Sequence, residues 1–306
     1  MDDKTRGMGR IPVILDTDIG DDIDDTWALA MLLKSTELDL KLVVSDTADT
    51  VHRAKIAAKM LEVAKRTDVG VGIGVRYPGR IGVQGTWADH YDLQGYPGKV
   101  HEDGVGAIIE TIMGAAEPVT LIAIGPVPNI AEALRREPRI AQKAKFVGMH
   151  GSVRLGYGGS ATPCSEYNVK MHTRECQEVF RAGWDMTITP LDTCGRIHLT
   201  GEKYQAVRQC KDPVIEALME NYLAWTAHRG GWSPADVDVR STTLFDTVAV
   251  YLAFCQDLAV MEELPIRVTD EGMTVIDEQA GKMMHVATGW KDLGAYEDLL
   301  VRRLIG

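Results

Sequence analysis

Six aspartates lie within ten residues, directly after an apolar run that is typical of a buried strand. The run covers residues 11–15, and the aspartates are Asp16, Asp18, Asp21, Asp22, Asp24 and Asp25. Carboxylates at this density repel one another and raise each other's pKa, so they stay ionised near neutral pH only if a cation or solvent absorbs their charge. A donor set made only of oxygen atoms favours a hard ion, calcium or magnesium.

An acidic loop can also be a solvated surface loop whose aspartates cap the next helix. The position of this loop favours a site, because it follows a predicted strand directly, and open α/β sheets bind ligands at the carboxyl ends of their strands. An EF-hand fits poorly, since Gly20 falls where a ligand is needed and Trp27 occupies the place of the closing glutamate. The spacing of Asp16 and Asp18 partly fits phosphatases of the haloacid dehalogenase type, although Gly20 replaces their usual threonine or valine.

Apolar strands alternate with amphipathic helices along the chain, which is the pattern of a mostly parallel sheet with helices on both faces. The predicted strands cover residues 11–15, 40–44, 69–73, 119–124, 145–149 and 186–189. The predicted helices cover residues 26–33, 54–66, 105–113, 129–135, 173–182, 213–227 and 247–254. Two segments without periodicity, 76–103 and 152–165, are predicted to be binding loops.

These elements predict one domain over residues 1–306, an α/β fold with a mostly parallel open sheet. Residues 1–10 are expected to be flexible. Residues 265–306 are expected to form a C-terminal extension with an antiparallel edge and an amphipathic helix, packed on the domain or on a neighbouring subunit. No linker interrupts the pattern.

Composition narrows the class of protein. The net charge of −11 disfavours nucleic acid and anionic membranes as partners, because both require clustered lysine and arginine. The polar N-terminal residues 1–10 and the lack of a run of roughly 18 apolar residues predict a cytoplasmic protein. Five cysteines, an odd number without a CxxC pair, indicate neither a disulfide framework nor a zinc site.

Five segments, in chain order, resemble the motifs of one family, the inosine-uridine-preferring nucleoside hydrolases. Residues 16–25 resemble its DTDxG motif with the paired DD that follows. Residues 125–129 (Gly-Pro-Val-Pro-Asn) resemble GPLTN, and residues 149–151 (Met-His-Gly) resemble a Met-Gly-Gly strand end. Residues 166–168 (Glu-Tyr-Asn) resemble EFN, and Asp246 resembles a late aspartate that opens a helix. The resemblance implies the Rossmann-like fold of that family.

The resemblance also implies calcium-assisted hydrolysis of the N-glycosidic bond of ribonucleosides, with one calcium ion per chain and a calcium-bound water as nucleophile. The implied metal ligands are Asp18, Asp25, Asp246 and the backbone carbonyl of Ile124. Asp18 would also accept a proton from the water. Asp246 could instead only cap the helix that follows it, but its place relative to the other motifs favours the metal.

The remaining implied roles concern the substrate. Asp24 would bind the 2′-hydroxyl of the ribose, Asn168 the 3′-hydroxyl and Glu166 the 5′-hydroxyl, and Met149 would contact the substrate as well. Buried acceptors aimed at hydroxyls discriminate against analogues that lack them, so 2′-deoxynucleosides are expected to be poor substrates.

The acidic motif carries an ambiguity of register. Asp21 and Asp22 form a two-residue expansion of the family pattern, so they are alternatives to Asp24 and Asp25 for the same roles. Asp16 is interpreted as a structural carboxylate that organises the backbone of the acidic turn.

The chain departs from the family pattern at the residue that is expected to protonate the departing base. Many members place a histidine that protonates the base directly before the late aspartate, whereas this chain has Phe245. An aromatic residue there resembles purine-specific members, in which the base stacks between two rings, and we predict Trp87 as the second ring. Phe245 could equally be a core residue. Alternative acids by residue type are His90, His101, His150 and Tyr91.

Two sugar contacts also differ. Ser160 stands where the family often has an asparagine that helps to bind ribose. Residues 45–49 replace the Gly-Asn ending of the second strand, and we predict Asp49 as the replacement ribose contact.

We therefore predict a ribonucleoside hydrolase that releases ribose and a free base, with purines as candidate bases, assembled as a homodimer or homotetramer. One alternative is a catalytically impaired nucleoside-binding or regulatory relative, which the missing histidine motivates. The other is the haloacid-dehalogenase-type phosphatase. That chemistry needs a lysine and further aspartate motifs at later strand ends, where residues 125–129 and 166–168 offer a neutral and a sugar-binding pattern.

Overall fold

The structure, a computed structural model, describes residues 9–79 and 81–306. Within them the strands are β1 (Ile11–Thr17), β2 (Leu38–Ser45), β3 (Gly70–Ile73), β4 (Val100–His101), β5 (Val119–Ala123), β6 (Ala144–Met149), β7 (Asp185–Thr189), β8 (Ala259–Val268), β9 (Thr274–Ile276) and β10 (Lys282–Trp290). The expectation that residues 1–10 are flexible falls mainly on residues 1–8, which lie outside the described residues.

The described helices surround these strands. They are α1 (Asp24–Leu33), α2 (Thr50–Val63), α3 (Gly85–Ala88), α4 (Gly104–Gly114), α5 (Pro128–Arg136), α6 (Ile140–Lys143), α7 (Tyr167–Met171), α8 (Thr173–Arg181), α9 (Gly201–Arg208), α10 (Pro213–Thr226), α11 (Pro234–Val237), α12 (Thr247–Leu252) and α13 (Leu293–Ile305). No described helix is long and apolar enough to cross a membrane.

The described strands form one sheet in the order β4-β3-β2-β1-β5-β6-β7-β10-β8-β9. Neighbouring strands from β4 through to β10 run parallel, and only β10–β8 and β8–β9 run antiparallel. The chain moves outward from β1 to β4 and then returns to β5 on the other side of β1. Ligands bind at the carboxyl ends of strands where the order reverses in this way. The predicted mostly parallel α/β fold is confirmed.

The central strand β1 is covered on both faces of the sheet. Val13 and Leu15 pack into the hydrophobic core on one face, and Ile14 between them packs into the core on the other. This alternation follows from the two-residue period of a strand. It explains why the strand reads as a continuous apolar run, and it leaves the acidic residues at its carboxyl end.

Two helices begin earlier than the periodicity predicts, and both starts affect the acidic residues. Helix α1 begins at Asp24, so Asp24 and Asp25 lie in its first turn, where the partial positive charge of a helix N-terminus favours carboxylates. Helix α2 begins at Thr50, and the carboxylate of Asp49 caps it by accepting a hydrogen bond from the backbone N–H of His52 at 3.2 Å.

The C-terminal segment belongs to the same sheet. Strand β10 pairs in parallel with β7 and antiparallel with β8, and β9 forms the edge. Tyr296, Leu300 and Leu304 of α13 recur at four-residue spacing and are buried in the main core. The structure thus places this predicted extension on the domain itself.

Candidate active site

A cavity of about 300 Å³ opens at the carboxyl edge of the sheet, beside the ends of β1, β5 and β6. Nine of the eleven predicted site residues line it, whereas Asp49 and Trp87 do not. The described lining residues are Asp18, Asp21, Asp22, Asp24, Asp25, Ile124, Met149, Tyr157, Glu166, Tyr167, Asn168, Arg229, Phe245 and Asp246.

Three carboxylates form the tightest cluster in this cavity. Asp24 and Asp25 lie in the first turn of α1, Asp246 directly precedes α12, and one oxygen of each lies within 4.8 Å of the others. All three are at most 4% exposed. Burial raises the pKa of each well above its ordinary value, and repulsion between the carboxylates raises it further. A divalent cation relieves both effects, so the donor set fits a hard metal ion.

Asp18 lies beside this cluster rather than within it. Its side chain lines the cavity, and the guanidinium of Arg53 approaches its carboxylate to 3.9 Å. Burial raises the pKa of Asp18 to about 6, although the charge of Arg53 opposes the shift. Asp18 was expected in the tight cluster with Asp25 and Asp246. In the structure that place is taken by Asp24, which was predicted to bind a ribose hydroxyl. This placement leaves Asp18 able to accept a proton near neutral pH.

Asn168 joins two strand ends at the floor of the cavity. Its amide nitrogen donates to the backbone carbonyls of Ile124 at 3.1 Å and Met149 at 3.0 Å. The carbonyl of Ile124, an implied metal ligand, thus lies at the cavity beside Asn168. The structure thus brings together the backbone carbonyl of Ile124 and the side chain of Asn168. The oxygen atoms of both groups are available to coordinate a hard cation or to accept hydrogen bonds from hydroxyls.

Glu166 is held rigidly by backbone groups at the start of α7. Its carboxylate accepts hydrogen bonds from the N–H groups of Gly151 at 3.0 Å, Asn168 at 2.8 Å and Val169 at 3.3 Å. Burial raises its pKa to about 7, although these three N–H groups oppose the shift. The Glu-Tyr-Asn motif therefore acts as one unit, with a capping glutamate and an amide that both face the cavity.

Asp16 does not line the cavity. It accepts a hydrogen bond at 2.9 Å from the side-chain amide of Asn129, which also donates to the carbonyl of Ser45 at 3.0 Å. Asn129 in turn accepts from the backbone N–H of Val75 at 2.7 Å. This arrangement agrees with a structural role for Asp16, and burial raises its pKa to about 8.

The interpretation of Asp49 as a ribose contact is wrong in this structure. Asp49 caps α2 and forms an ion pair with Arg76 at 3.2 Å, and it is not among the residues that line the cavity. The cause is the early start of α2, which the apolar periodicity alone places four residues later.

The predicted pairing of Trp87 with Phe245 is also wrong. Trp87 is buried on α3, and the ammonium of Lys59 lies 3.8 Å from the centroid of its ring. Phe245 does line the cavity, and the ring beside it is that of Tyr157, with centroids 6.1 Å apart and an angle of 83° between the planes. Phe245 and Tyr157 thus form an aromatic pair in the cavity wall, which Tyr167 also lines.

The expanded acidic loop is held by neighbours that sequence reasoning missed. The amide of Gln84 donates to the carbonyl of Asp22, and the indole N–H of Trp225 donates to the carbonyl of Asp21 at 3.0 Å. Asn221 supports Gln84 with a hydrogen bond of 3.0 Å. Both extra aspartates therefore line the cavity in addition to Asp24 and Asp25, and do not replace them.

The four residues considered as alternative general acids for the departing base do not line the cavity. His150 is buried between Phe146 and Phe180, with ring centroids 5.7 Å and 6.0 Å away, and burial lowers its pKa to about 3. His90, His101 and Tyr91 do not line the cavity, and among the described residues that do line it there is no histidine. Tyr157 and Arg229, which do line it, come from segments without a motif, whereas Tyr167 lies inside the Glu-Tyr-Asn motif but had no predicted role. Tyr157 lies in the segment 152–165 that was predicted to be a binding loop, and for Arg229 the Arg229-Gly230-Gly231 turn after α10 is the local signal that could have pointed to one.

The raised pKa values predict how pH affects the metal-free protein. Asp16, Glu166 and the carboxylate cluster bind protons more tightly when folded than when unfolded, so stability falls as pH rises. We expect the melting temperature in chelator to fall from about pH 6.5 to about pH 8, a range above the ordinary pKa of histidine. Saturating calcium should make the fall smaller, because it stabilises the charged form of the carboxylate cluster, while the contributions of Asp16 and Glu166 remain. A metal-free protein that becomes more stable over this range would contradict the prediction.

The fold and the site define a class, an α/β protein that holds a small-ligand cavity and a buried carboxylate cluster at the switch point of a parallel sheet. Within that class, the family model for inosine-uridine preferring nucleoside hydrolases matches residues 13–295. The chain therefore belongs to that family, and the resemblance drawn from the motifs is confirmed. Membership rules against the phosphatase alternative.

Individual relatives agree with this assignment. The non-specific ribonucleoside hydrolase RihC of Klebsiella pneumoniae subsp. pneumoniae is 32% identical over 238 residues, 72% of this chain and 75% of that protein. The pyrimidine-specific ribonucleoside hydrolase RihA of an Enterobacter species is 29% identical over 228 residues, 69% of each. A solved plant nucleoside hydrolase has a TM-score of 0.81 over 97% of this chain and 100% of its own, at 20% identity, which shows the fold alone.

Proposed function

We propose that this protein hydrolyses the N-glycosidic bond of ribonucleosides to ribose and a free base in a calcium-dependent reaction. The observation that carries the proposal is the meeting of three buried carboxylates with Glu166 and Asn168 in one cavity. A ribose ring presents hydroxyls that need buried acceptors, and its oxocarbenium-like transition state is stabilised by surrounding negative charge.

Calcium would be held by Asp25, Asp246 and the backbone carbonyl of Ile124. Either Asp24 or Asp18 would provide a further carboxylate ligand. A calcium ion there would lower the pKa of a coordinated water and fix it beneath the anomeric carbon. Asp18, beside the cluster and with its pKa near 6, would accept the proton that this water loses. The fit rests on the spacing and burial of the cluster and on its oxygen-only donors.

The sugar would be oriented by the groups at the floor of the cavity. Asn168 would meet the 3′-hydroxyl, Glu166 the 5′-hydroxyl and Asp24 the 2′-hydroxyl. Glu166 already accepts three backbone hydrogen bonds, so its position does not depend on the substrate. Such fixed acceptors select ribose over 2′-deoxyribose, because the missing hydroxyl leaves a buried group unpaired.

The base would lie against Phe245 and Tyr157, and the larger purine ring has more surface to stack on this wall. We expect purine turnover to exceed uridine turnover, and Phe245→Ala to reduce purine turnover by about two- to tenfold, given stacking energies of about 0.5–1.5 kcal/mol. Residual uridine turnover should change little. Kinetics with inosine, adenosine, guanosine and uridine test this, and equal losses for both base classes would show that Phe245 is only core packing.

A second candidate is a nucleoside-binding relative that has lost the leaving-group chemistry, which Phe245 in place of histidine favours. A panel of ribonucleosides with calcium separates the two functions. Free ribose supports the hydrolase, whereas calorimetric binding without any ribose supports the binding protein. The homodimer or homotetramer remains a prediction, and light scattering of the purified chain tests it.

A further inference from the structure

The departing base needs a partner for the charge that it acquires. If the chain hydrolyses ribonucleosides as proposed, the bond between C1′ and the base nitrogen breaks and its electron pair moves onto the base. Phe245 cannot donate a proton, and no histidine is among the described residues that line the cavity. Another group must therefore stabilise the base as it leaves.

The two tyrosines of the cavity are poor proton donors, and neither supplies a positive charge. The hydroxyl of Tyr157 accepts a hydrogen bond from the backbone N–H of Tyr167 at 3.0 Å, and burial raises the pKa of Tyr157 well above its ordinary value. Burial also raises the pKa of Tyr167, to about 12. Five of the seven carboxyl residues are needed as acceptors for metal, ribose or the proton of the water, and a carboxylate such as Asp21 or Asp22 would repel the negative charge on the base, which leaves Arg229 to be considered.

Arg229 is the one cationic side chain among the described residues that line the cavity. It lies in the turn after α10, where its guanidinium carbon is 5.9 Å from the centroid of the Trp225 ring. The hydrogen bond from Trp225 to the carbonyl of Asp21 anchors that ring to the acidic loop. The aromatic ring thus supports Arg229 at the mouth of the cavity.

The guanidinium of Arg229 is free to meet a ligand. It makes no side-chain hydrogen bond and no ion pair with any residue that the structure describes. Its charge nevertheless reaches the cavity wall. Burial raises the pKa of Asp22, and both the backbone N–H of Ile23 and the charge of Arg229 oppose that shift.

We propose that Arg229 stabilises the departing base, and that the favoured base is a 6-oxopurine. A guanidinium presents two parallel N–H groups, and the N7 and O6 atoms of hypoxanthine and guanine form the matching pair of acceptors. Adenine offers an amino group in place of O6, and uracil lacks N7. This inference rests on the proposed function and extends it to the leaving group and the base class.

The chemical step balances without proton loss from Arg229. The oxygen of water forms a bond to C1′ while the C1′–N9 bond breaks, and the negative charge spreads over the purine to N7 and O6. Arg229 donates two hydrogen bonds to these atoms and keeps its protons, because a guanidinium does not ionise in proteins. The proton of the water passes to Asp18, and the base takes up a proton from solvent as it is released.

A phosphate is the competing partner for an arginine, but the cavity disfavours it. Seven carboxyl residues line the cavity with Arg229, so a nucleotide would meet strong repulsion. An oxopurine is neutral in the ground state and becomes negative only as the bond breaks. Arg229 would therefore bind the transition state more strongly than the substrate, which is the condition for catalysis.

The test compares two substrates that differ in how much help the leaving group needs. Inosine requires stabilisation of the base, whereas 4-nitrophenyl β-D-ribofuranoside releases a phenolate that is stable by itself. We expect Arg229→Ala to lower kcat for inosine by about 100-fold and to leave kcat for the nitrophenyl riboside within about twofold. Arg229→Lys should recover part of the inosine rate, because lysine keeps the positive charge but lacks the two parallel N–H groups of a guanidinium.

The matched control is Arg240→Ala, since Arg240 also lies over a tryptophan ring, 4.5 Å from Trp232, but outside the cavity. It should leave both rates unchanged. Equal losses for both substrates in Arg229→Ala, an unchanged inosine rate, or inosine 5′-monophosphate as the preferred substrate of the parent would overturn the assignment of Arg229. A parent that releases ribose from neither substrate would overturn the proposed function itself.

Discussion

Asp18→Asn should lower kcat for ribonucleosides by at least about 10³-fold while the protein stays folded. The substitution removes the group that would accept the proton of the attacking water, and it also removes a charge next to the carboxylate cluster. The amide keeps the size of the side chain, so packing should change little. Ribose release per folded molecule, measured with calcium, gives the loss in turnover, and a melting curve gives the stability.

The stability change distinguishes a catalytic role from a structural one. Because burial raises the pKa of Asp18, its charge is unfavourable in the metal-free fold, and the amide should leave the metal-free melting temperature unchanged or higher. The matched control is Asp192→Asn, a buried carboxylate outside the cavity that accepts from the backbone N–H groups of Val153 at 3.0 Å and Arg154 at 2.8 Å. That variant should lose stability and keep its turnover. The same pattern in Asp18→Asn would show that Asp18 is structural.

Asp246→Asn should weaken calcium binding by more than about 100-fold, because it removes a charged ligand from the tight cluster. Calcium at about 100 times its dissociation constant should stabilise the parent by about 2.7 kcal/mol. The variant should show almost none of this gain at the same concentration. Its metal-free form should be at least as stable as the metal-free parent, since repulsion from Asp24 and Asp25 is relieved.

Calorimetric titration with calcium and melting curves with and without chelator measure these effects. An Asp246→Asn variant that gains as much stability from calcium as the parent would show that this aspartate only begins α12. A loss of stability in chelator, without any change in calcium affinity, would lead to the same conclusion.

Much of the fold could be predicted because strands and loops carry different signals. The apolar run of β1 and the acidic residues after it indicate a buried parallel strand with a site at its end, and the structure has both. The motifs at residues 125–129 and 166–168 mark further strand ends and helix starts. Parallel strands bring such ends to one edge of a sheet, so residues far apart in the chain meet in one cavity.

The errors arose where local signals are weak. Asp49 was misplaced because α2 begins before its apolar periodicity does, and Trp87 was misplaced because the segment 76–103 has no periodicity to orient its side chains. Tyr157 and Arg229 were missed for the same reason, since turns with exposed residues are fixed by tertiary contacts. Asp21 and Asp22 could be noted as an expansion but not oriented without Gln84 and Trp225.

The most direct measurement incubates the purified protein with inosine and quantifies free ribose and hypoxanthine, first after chelation and then after calcium is restored. Calcium-dependent hydrolysis predicts no release in chelator and equal amounts of ribose and hypoxanthine once calcium returns. With the reaction run in oxygen-18 water, the label should appear in the ribose at C1′ and not in the base. Release that persists in chelator, or calcium-loaded protein that binds ribonucleosides without releasing ribose from any of them, would contradict the account.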